Sequence, residues 1–82
     1  MKRYDKIKQK EVDQVLQELG NHLTKLRKKS GYKSHENFAF EIGIGRSQYG
    51  RYENGSDIRL SSLIKLVKAF DMSLEEFFKD FD

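Results

Sequence analysis

The sequence predicts an all-α fold, a small bundle of five helices, and three observations lead there. Apolar residues recur at steps of three and four in one segment after another, the spacing that gathers them on one side of a helix. The apolar–polar alternation of a half-buried strand appears nowhere. Between the periodic segments stand Ser, Asn and Gly residues, at positions where helices are capped and stopped.

The first helix is the longest. Val12, Val15, Leu16, Leu19, Leu23 and Leu26 share a face, and Ile7 and Tyr4 extend it more weakly toward the N-terminus. Asp5 is a candidate N-cap. Gly20 falls inside the pattern, where it costs roughly 1 kcal/mol relative to alanine. It marks either a break into two segments or a point of close approach by another helix. Lys28 and Lys29 complement the helix dipole in the last turn, and Gly31 supplies a left-handed C-terminal residue. Ser34 caps a second helix that turns Phe38, Ala39 and Ile42 inward and stops at Gly43, although Asn37 stands where a capping box carries Glu or Gln.

After Ile44-Gly45 a third helix runs from Arg46 to Glu53 and ends at Asn54-Gly55. Ser61 or Ser62 caps a fourth, with Leu63, Leu66, Val67 and Phe70 inward, and Asp71-Met72 breaks it. Ser73 and Glu76 form a capping box for a short fifth helix, whose apolar side is Leu74, Phe77, Phe78 and Phe81.

Composition removes several function classes. At 82 residues the chain is one small domain, and it contains neither proline nor cysteine. A disulfide framework and a cysteine-ligated zinc site are therefore excluded. No apolar run approaches the ~20 residues of a membrane span, and the first residues lead into no signal core, so a cytoplasmic protein without a membrane partner is expected. His22 and His35 are the only histidines and have no second pair of ligands near them in sequence, so neither a metal site nor a cofactor is expected. Gly45 and Gly50 have P-loop spacing, but Arg51-Tyr52 follows in place of Lys-Ser/Thr and no strand precedes. No nucleophile constellation is evident in the sequence, and catalysis is not expected.

The net charge of +3 conceals an asymmetry: residues 1–33 hold ten Lys or Arg against four Asp or Glu, whereas residues 60–82 hold three against five. A basic half favours an anionic partner, with a lysine-rich solvated surface as the plain alternative. The second and third helices, joined by Gly43-Ile44-Gly45, form a helix-turn-helix unit whose second member can enter the DNA major groove. That helix carries Arg46, Ser47, Gln48 and Arg51 and no acid until Glu53. Arginine pairs with guanine through two hydrogen bonds, glutamine with adenine, and serine adapts to either. Lys28, Lys29 and Lys33 are candidates for phosphate contacts. Phe77, Phe78 and Phe81, with Phe70, exceed what one small core needs, and the first three are expected to form a dimer seam.

In this arrangement the sequence resembles the Cro/repressor (XRE-type) helix-turn-helix family. Leu19-Gly20, Leu23, Leu26-Arg27, Gly31, Ser34, Phe38-Ala39, Ile42-Gly43-Ile44 and Arg46-Ser47 carry its pattern in register. So do Tyr49, Arg51-Tyr52-Glu53-Asn54-Gly55 and the segments Leu63–Phe70 and Ser73–Phe78, and the resemblance spans residues 19–78. It implies a lambda-repressor-like bundle over residues 18–82, preceded by a basic helical extension at 1–17, that binds double-stranded DNA as a homodimer. It implies Arg46, Ser47 and Arg51 at base edges with Gln48 beside them, His35 and Asn54 on the DNA backbone, and Tyr49 and Tyr52 half in the core.

The chain departs from the family pattern in three places. Gly45 replaces a common Ser or Thr, so only backbone N–H groups are left there for a phosphate. Asn37 replaces an acid that commonly pairs with an arginine of the first helix, so an Arg27–Asn37 hydrogen bond is expected instead. Residues 1–17 lie outside the pattern and fit a helical extension, a dimer element or a basic arm. The reading that follows is a transcriptional regulator, most simply a repressor on an inverted-repeat operator. Two others share the bundle: an antitoxin that also grips a toxin protein, and an interaction adaptor that does not bind DNA.

Overall fold

A computed structural model describes residues 6–79 and 81. They form α1 (Gln9–Lys29), α2 (His35–Ile42), α3 (Arg46–Glu53), α4 (Leu60–Ala69) and α5 (Leu74–Lys79), and no strand occurs among the described residues. The all-α, five-helix expectation holds.

α1 runs unbroken through Gly20. A Cβ at that residue would stand 2.5 Å from the Glu53 carbonyl oxygen and 2.8 Å from that of Tyr52, so the glycine is where the end of α3 rests directly on α1. Lys8 occupies the N-cap position and makes no side-chain cap, which places the helix start after Asp5; Asp5 itself and Tyr4 lie outside the described residues. At 21 residues α1 spans about 31 Å. It gives the molecule a long axis of 45 Å against 25 and 20 Å.

The first four helices end in the same way. An N–H beyond each terminus reaches back five residues to a carbonyl: Tyr32 to Arg27, Ile44 to Ala39, Ser56 to Arg51 and Met72 to Val67, all at 3.0–3.1 Å. This bond requires a left-handed residue just past the helix. Gly31, Gly43 and Gly55 fill that role, and at the fourth terminus Asp71 adopts φ 61°. Ser34 caps α2 by accepting from the N–H groups of Glu36 and Asn37. The Ser73–Glu76 capping box is reciprocal: the Ser73 N–H donates to Glu76 at 2.8 Å, and the Glu76 N–H to the Ser73 hydroxyl at 3.1 Å.

Neither Ser61 nor Ser62 caps α4. The helix starts at Leu60, where the Arg59 carbonyl already accepts from Leu63 at 2.9 Å while Ile58 packs against the core just ahead.

The core gathers Leu19 and Leu23 from α1, Phe38 and Ala39 from α2, Tyr49 and Tyr52 from α3, Leu63, Leu66 and Val67 from α4, and Phe77 from α5. Phe38 is its hub: its ring lies 5.0–5.2 Å from those of Tyr32, Tyr49 and Phe70. Tyr49 and Tyr52 are buried outright, not half-buried as expected. The contact at Gly20 brings α3 close enough to α1 for both rings to fill the space between the first three helices.

Phe77 is fully buried and meets the His22 ring edge-on at 4.7 Å, while the His22 Nε2–H donates to the Phe77 carbonyl at 2.8 Å. That commits Phe77 to the chain's own core and removes it from the expected seam, leaving exposed Phe78 and half-buried Phe81.

Candidate nucleic-acid interface

α3 owes its two characters to two sets of residues. Tyr49 and Tyr52 anchor it inward; Arg46, Ser47, Gln48 and Arg51 are all exposed. Arg46, Ser47 and Gln48 occupy the first turn, so their side chains surround the free N–H groups at the helix start, with Gly45 in the cap position contributing no side chain. Gln48 is partly engaged: its Nε2 donates to the Tyr52 hydroxyl at 2.6 Å.

The position of this helix is fixed at two points. On the α2 side, His35 packs over Gly50, with its Nε2 only 3.1 Å from where a Cβ would stand. The bare surface of Gly50 is what lets the first turn of α2 approach α3 so closely. On the α1 side the clamp is ionic. Arg27 binds Glu53 through two parallel hydrogen bonds, Nε to Oε2 at 2.7 Å and Nη2 to Oε1 at 3.1 Å, and Nη1 donates to the Tyr32 carbonyl at 2.8 Å.

Both members of the pair are almost fully buried, with side chains 6% and 9% exposed. The expected Arg27–Asn37 hydrogen bond is therefore replaced by an intact ion pair with a different partner, and Asn37 is exposed on α2. Burial pushes the Glu53 carboxyl up, but the Arg27 guanidinium outweighs that and holds it below its ordinary value. The hydrogen bonds to Glu53 raise Arg27 in turn. The Tyr49 hydroxyl lies inside this region without a hydrogen-bond partner, and burial raises it far above the usual phenol range.

The remaining candidates lie on other elements or at helix ends. Asn54 is exposed at the C-terminal end of α3, and Lys28, Lys29 and Lys33 are exposed at the end of α1 and in the link to α2. His35 is half-buried at the N-terminus of α2. Sequence reasoning missed Phe40, which is 83% exposed and lines a groove with Glu36, Asn37, Ile44, Gly45 and Arg46. The spacing carried the signal: Phe40 falls about 200° around the helix from Phe38, outside the arc of Phe38, Ala39 and Ile42. Glu53 as the partner of Arg27 had no comparable signal, since the two are brought together only by the crossing at Gly20.

Comparison with known proteins agrees with this geometry. A family model described as Helix-turn-helix matches residues 23–77, which takes in the whole of α2, α3 and α4. This chain belongs to the helix-turn-helix family of DNA-binding regulators. The control protein C.MunI of a Mycoplasma species is 38% identical to it over 64 residues, covering 77% of this chain and 86% of that protein. No solved structure matches. The helix-turn-helix family is one of transcriptional regulators of the XRE type and not a family of enzymes. Among the described residues of this regulator, no helix is long and apolar enough to cross a membrane, and no cluster of His, Asp and Glu could hold a metal ion.

Proposed function

We propose that this helix-turn-helix protein is a cytoplasmic, sequence-specific regulator that binds an inverted-repeat operator as a homodimer and represses by occluding polymerase. The observation that carries this reading is the division of α3: Tyr49 and Tyr52 are buried while Arg46, Ser47 and Arg51 are all exposed to solvent. A helix held so firmly on one side and so cationic on the other suits rigid insertion into the major groove.

Arg46, Ser47 and Arg51 face base edges. Gln48 joins them by exchanging its bond to Tyr52 for one to a base. His35, Asn54, the free N–H groups at Gly45 and the lysines Lys28, Lys29 and Lys33 hold phosphates and so fix register without reading sequence. Exposed Phe78, with Leu74 and Phe81, supplies the seam between copies. Two-fold symmetry then sets the half-sites about 34 Å apart.

Selection from a randomised duplex pool at near-physiological salt tests this directly, with an enriched inverted repeat as the expected result. Arg46→Ala or Arg51→Ala then loses about 1–3 kcal/mol on the selected site and relaxes one base position. Equal losses on scrambled DNA would reduce both arginines to phosphate contacts, and a pool without enrichment would sink the reading.

A further inference from the structure

Of the four exposed side chains on α3, one is already held. Gln48 donates from Nε2 to the Tyr52 hydroxyl at 2.6 Å, whereas among the described hydrogen bonds the side chains of Arg46, Ser47 and Arg51 make none. The two residues stand four apart, where side chains on a helix meet. Tyr52 is 6% exposed and its ring belongs to the core. Its hydroxyl is therefore a fixed point, and the glutamine amide is the part that can move.

We infer that Tyr52 is a positioning residue that sets how strongly the base opposite Gln48 is read: its hydroxyl competes with that base for the amide. The inference rests on base contact by Gln48, the role proposed for it above. Adenine is the base that suits an amide, because it presents a donor at N6 beside an acceptor at N7 in the major groove. Guanine presents acceptors at both places, so Oε1 of the amide would face a lone pair and gains nothing there. On adenine, Gln48 must first give up its bond to Tyr52. A neutral hydrogen bond is worth a net factor of about two to ten in an equilibrium. That factor is subtracted from the adenine contact. On guanine the amide stays on Tyr52 and nothing is subtracted. The preference for adenine is therefore blunted, and half-sites that differ at this base are bound with more nearly equal affinity.

Tyr52→Phe removes the hydroxyl and keeps the ring, and circular dichroism with thermal unfolding checks that the bundle is intact. The full-length parent, Tyr52→Phe, Gln48→Ala and the double variant are each put through selection from a randomised duplex pool. The base position that Gln48→Ala flattens is assigned to Gln48. Titrations at one salt concentration then use two duplexes that differ only there, one with adenine and one with guanine. Tyr52→Phe should bind the adenine duplex about two- to tenfold more tightly and the guanine duplex unchanged. Gln48→Ala in the same chain should erase that gain. A preference that stays the same or narrows would overturn the proposal; narrowing would mean that the hydroxyl holds Gln48 in its base-contacting pose. In the free protein, the Gln48 side-chain amide signal, assigned by its loss in Gln48→Ala, should exchange with water faster in Tyr52→Phe than in the parent. Equal exchange would overturn the competition by removing the bond itself. Slow exchange in the parent together with no base position altered by Gln48→Ala would instead overturn base contact by Gln48, and the proposal with it.

Discussion

The two halves of α1 share one periodicity and have different environments. From Leu19 onward its apolar face lies under α3 and the core, and Arg27 closes the far end with a buried ion pair. From Val15 back toward Gln9 the same stripe stands in solvent. Spacing decides which side of a helix is apolar; it does not decide what covers that side. Each substitution below therefore has a partner on the other half, or at a helix end, against which its effect is read.

The largest loss is expected where cover is complete and charged. Arg27→Ala leaves Glu53 buried without a counter-ion and should cost about 3–5 kcal/mol in urea denaturation. Replacing both together, Arg27→Met with Glu53→Leu, should recover most of that loss, because the pair's attraction is largely offset by its desolvation. A double variant as unstable as the single would mean that the bond from Arg27 to the Tyr32 carbonyl matters more than the ion pair. The same pair gives the covered half a pH dependence. The carboxyl of Glu53 titrates lower when folded than when unfolded, so its contribution is present above the unfolded value of about 4.3 and is lost as pH falls through the lower folded value. The acid limb of the stability curve should be shallower in the double variant than in the parent.

Next come two substitutions that compare the halves directly. Leu23→Ala should cost about 2–5 kcal/mol, whereas Val15→Ala should stay within about 0.5 kcal/mol in dilute protein, where copies are separate. If Val15→Ala proves as costly as Leu23→Ala, the exposed stripe is covered even in the lone chain. Gly20→Ala should cost about 1–3 kcal/mol, because its methyl would meet the Tyr52 and Glu53 carbonyls and push α3 away from α1. The usual gain of alanine over glycine inside a helix would reverse the sign only if that crossing were loose.

Most of the fold was legible because helix ends are local chemistry. Ser34, Gly43, Asn54-Gly55 and the Ser73–Glu76 box each announce a terminus through hydrogen bonds reaching only a few residues along the chain, and all appear where the sequence puts them. The candidate reading helix was legible for the same reason, as a cationic segment between two such signals. Two helix starts were misplaced, since α1 and α4 begin after Lys8 and Arg59 without side-chain caps; the other failures depend on tertiary crossing. Gly20 could be a break or a contact until α3 was seen against it; Glu53 replaced Asn37 as the partner of Arg27; and Phe77 turned out to be core while Phe78 stayed outside. Phe77 and Phe78 are adjacent and chemically identical, so nothing but their rotation about α5 separates them.

The smallest expected effect isolates the local side of that contrast. Asp71 is the one residue in the set of four helix ends that adopts a left-handed backbone while carrying a Cβ, at φ 61°. It is exposed, and among the described hydrogen bonds its carboxylate makes none, so little tertiary contact is lost by removing it. Its negative charge also sits at the C-terminal end of α4, where the helix dipole disfavours it. Asp71→Gly relieves both penalties at the expense of greater freedom in the unfolded chain, and a net gain of about 0.5–1 kcal/mol is expected. Because the Met72-to-Val67 bond that closes the helix is retained, the gain should appear as a higher urea midpoint with an unchanged slope. A loss instead would mean that the Asp71 side chain restrains the link to α5, and the fourth helix end would then join the features that only packing explains.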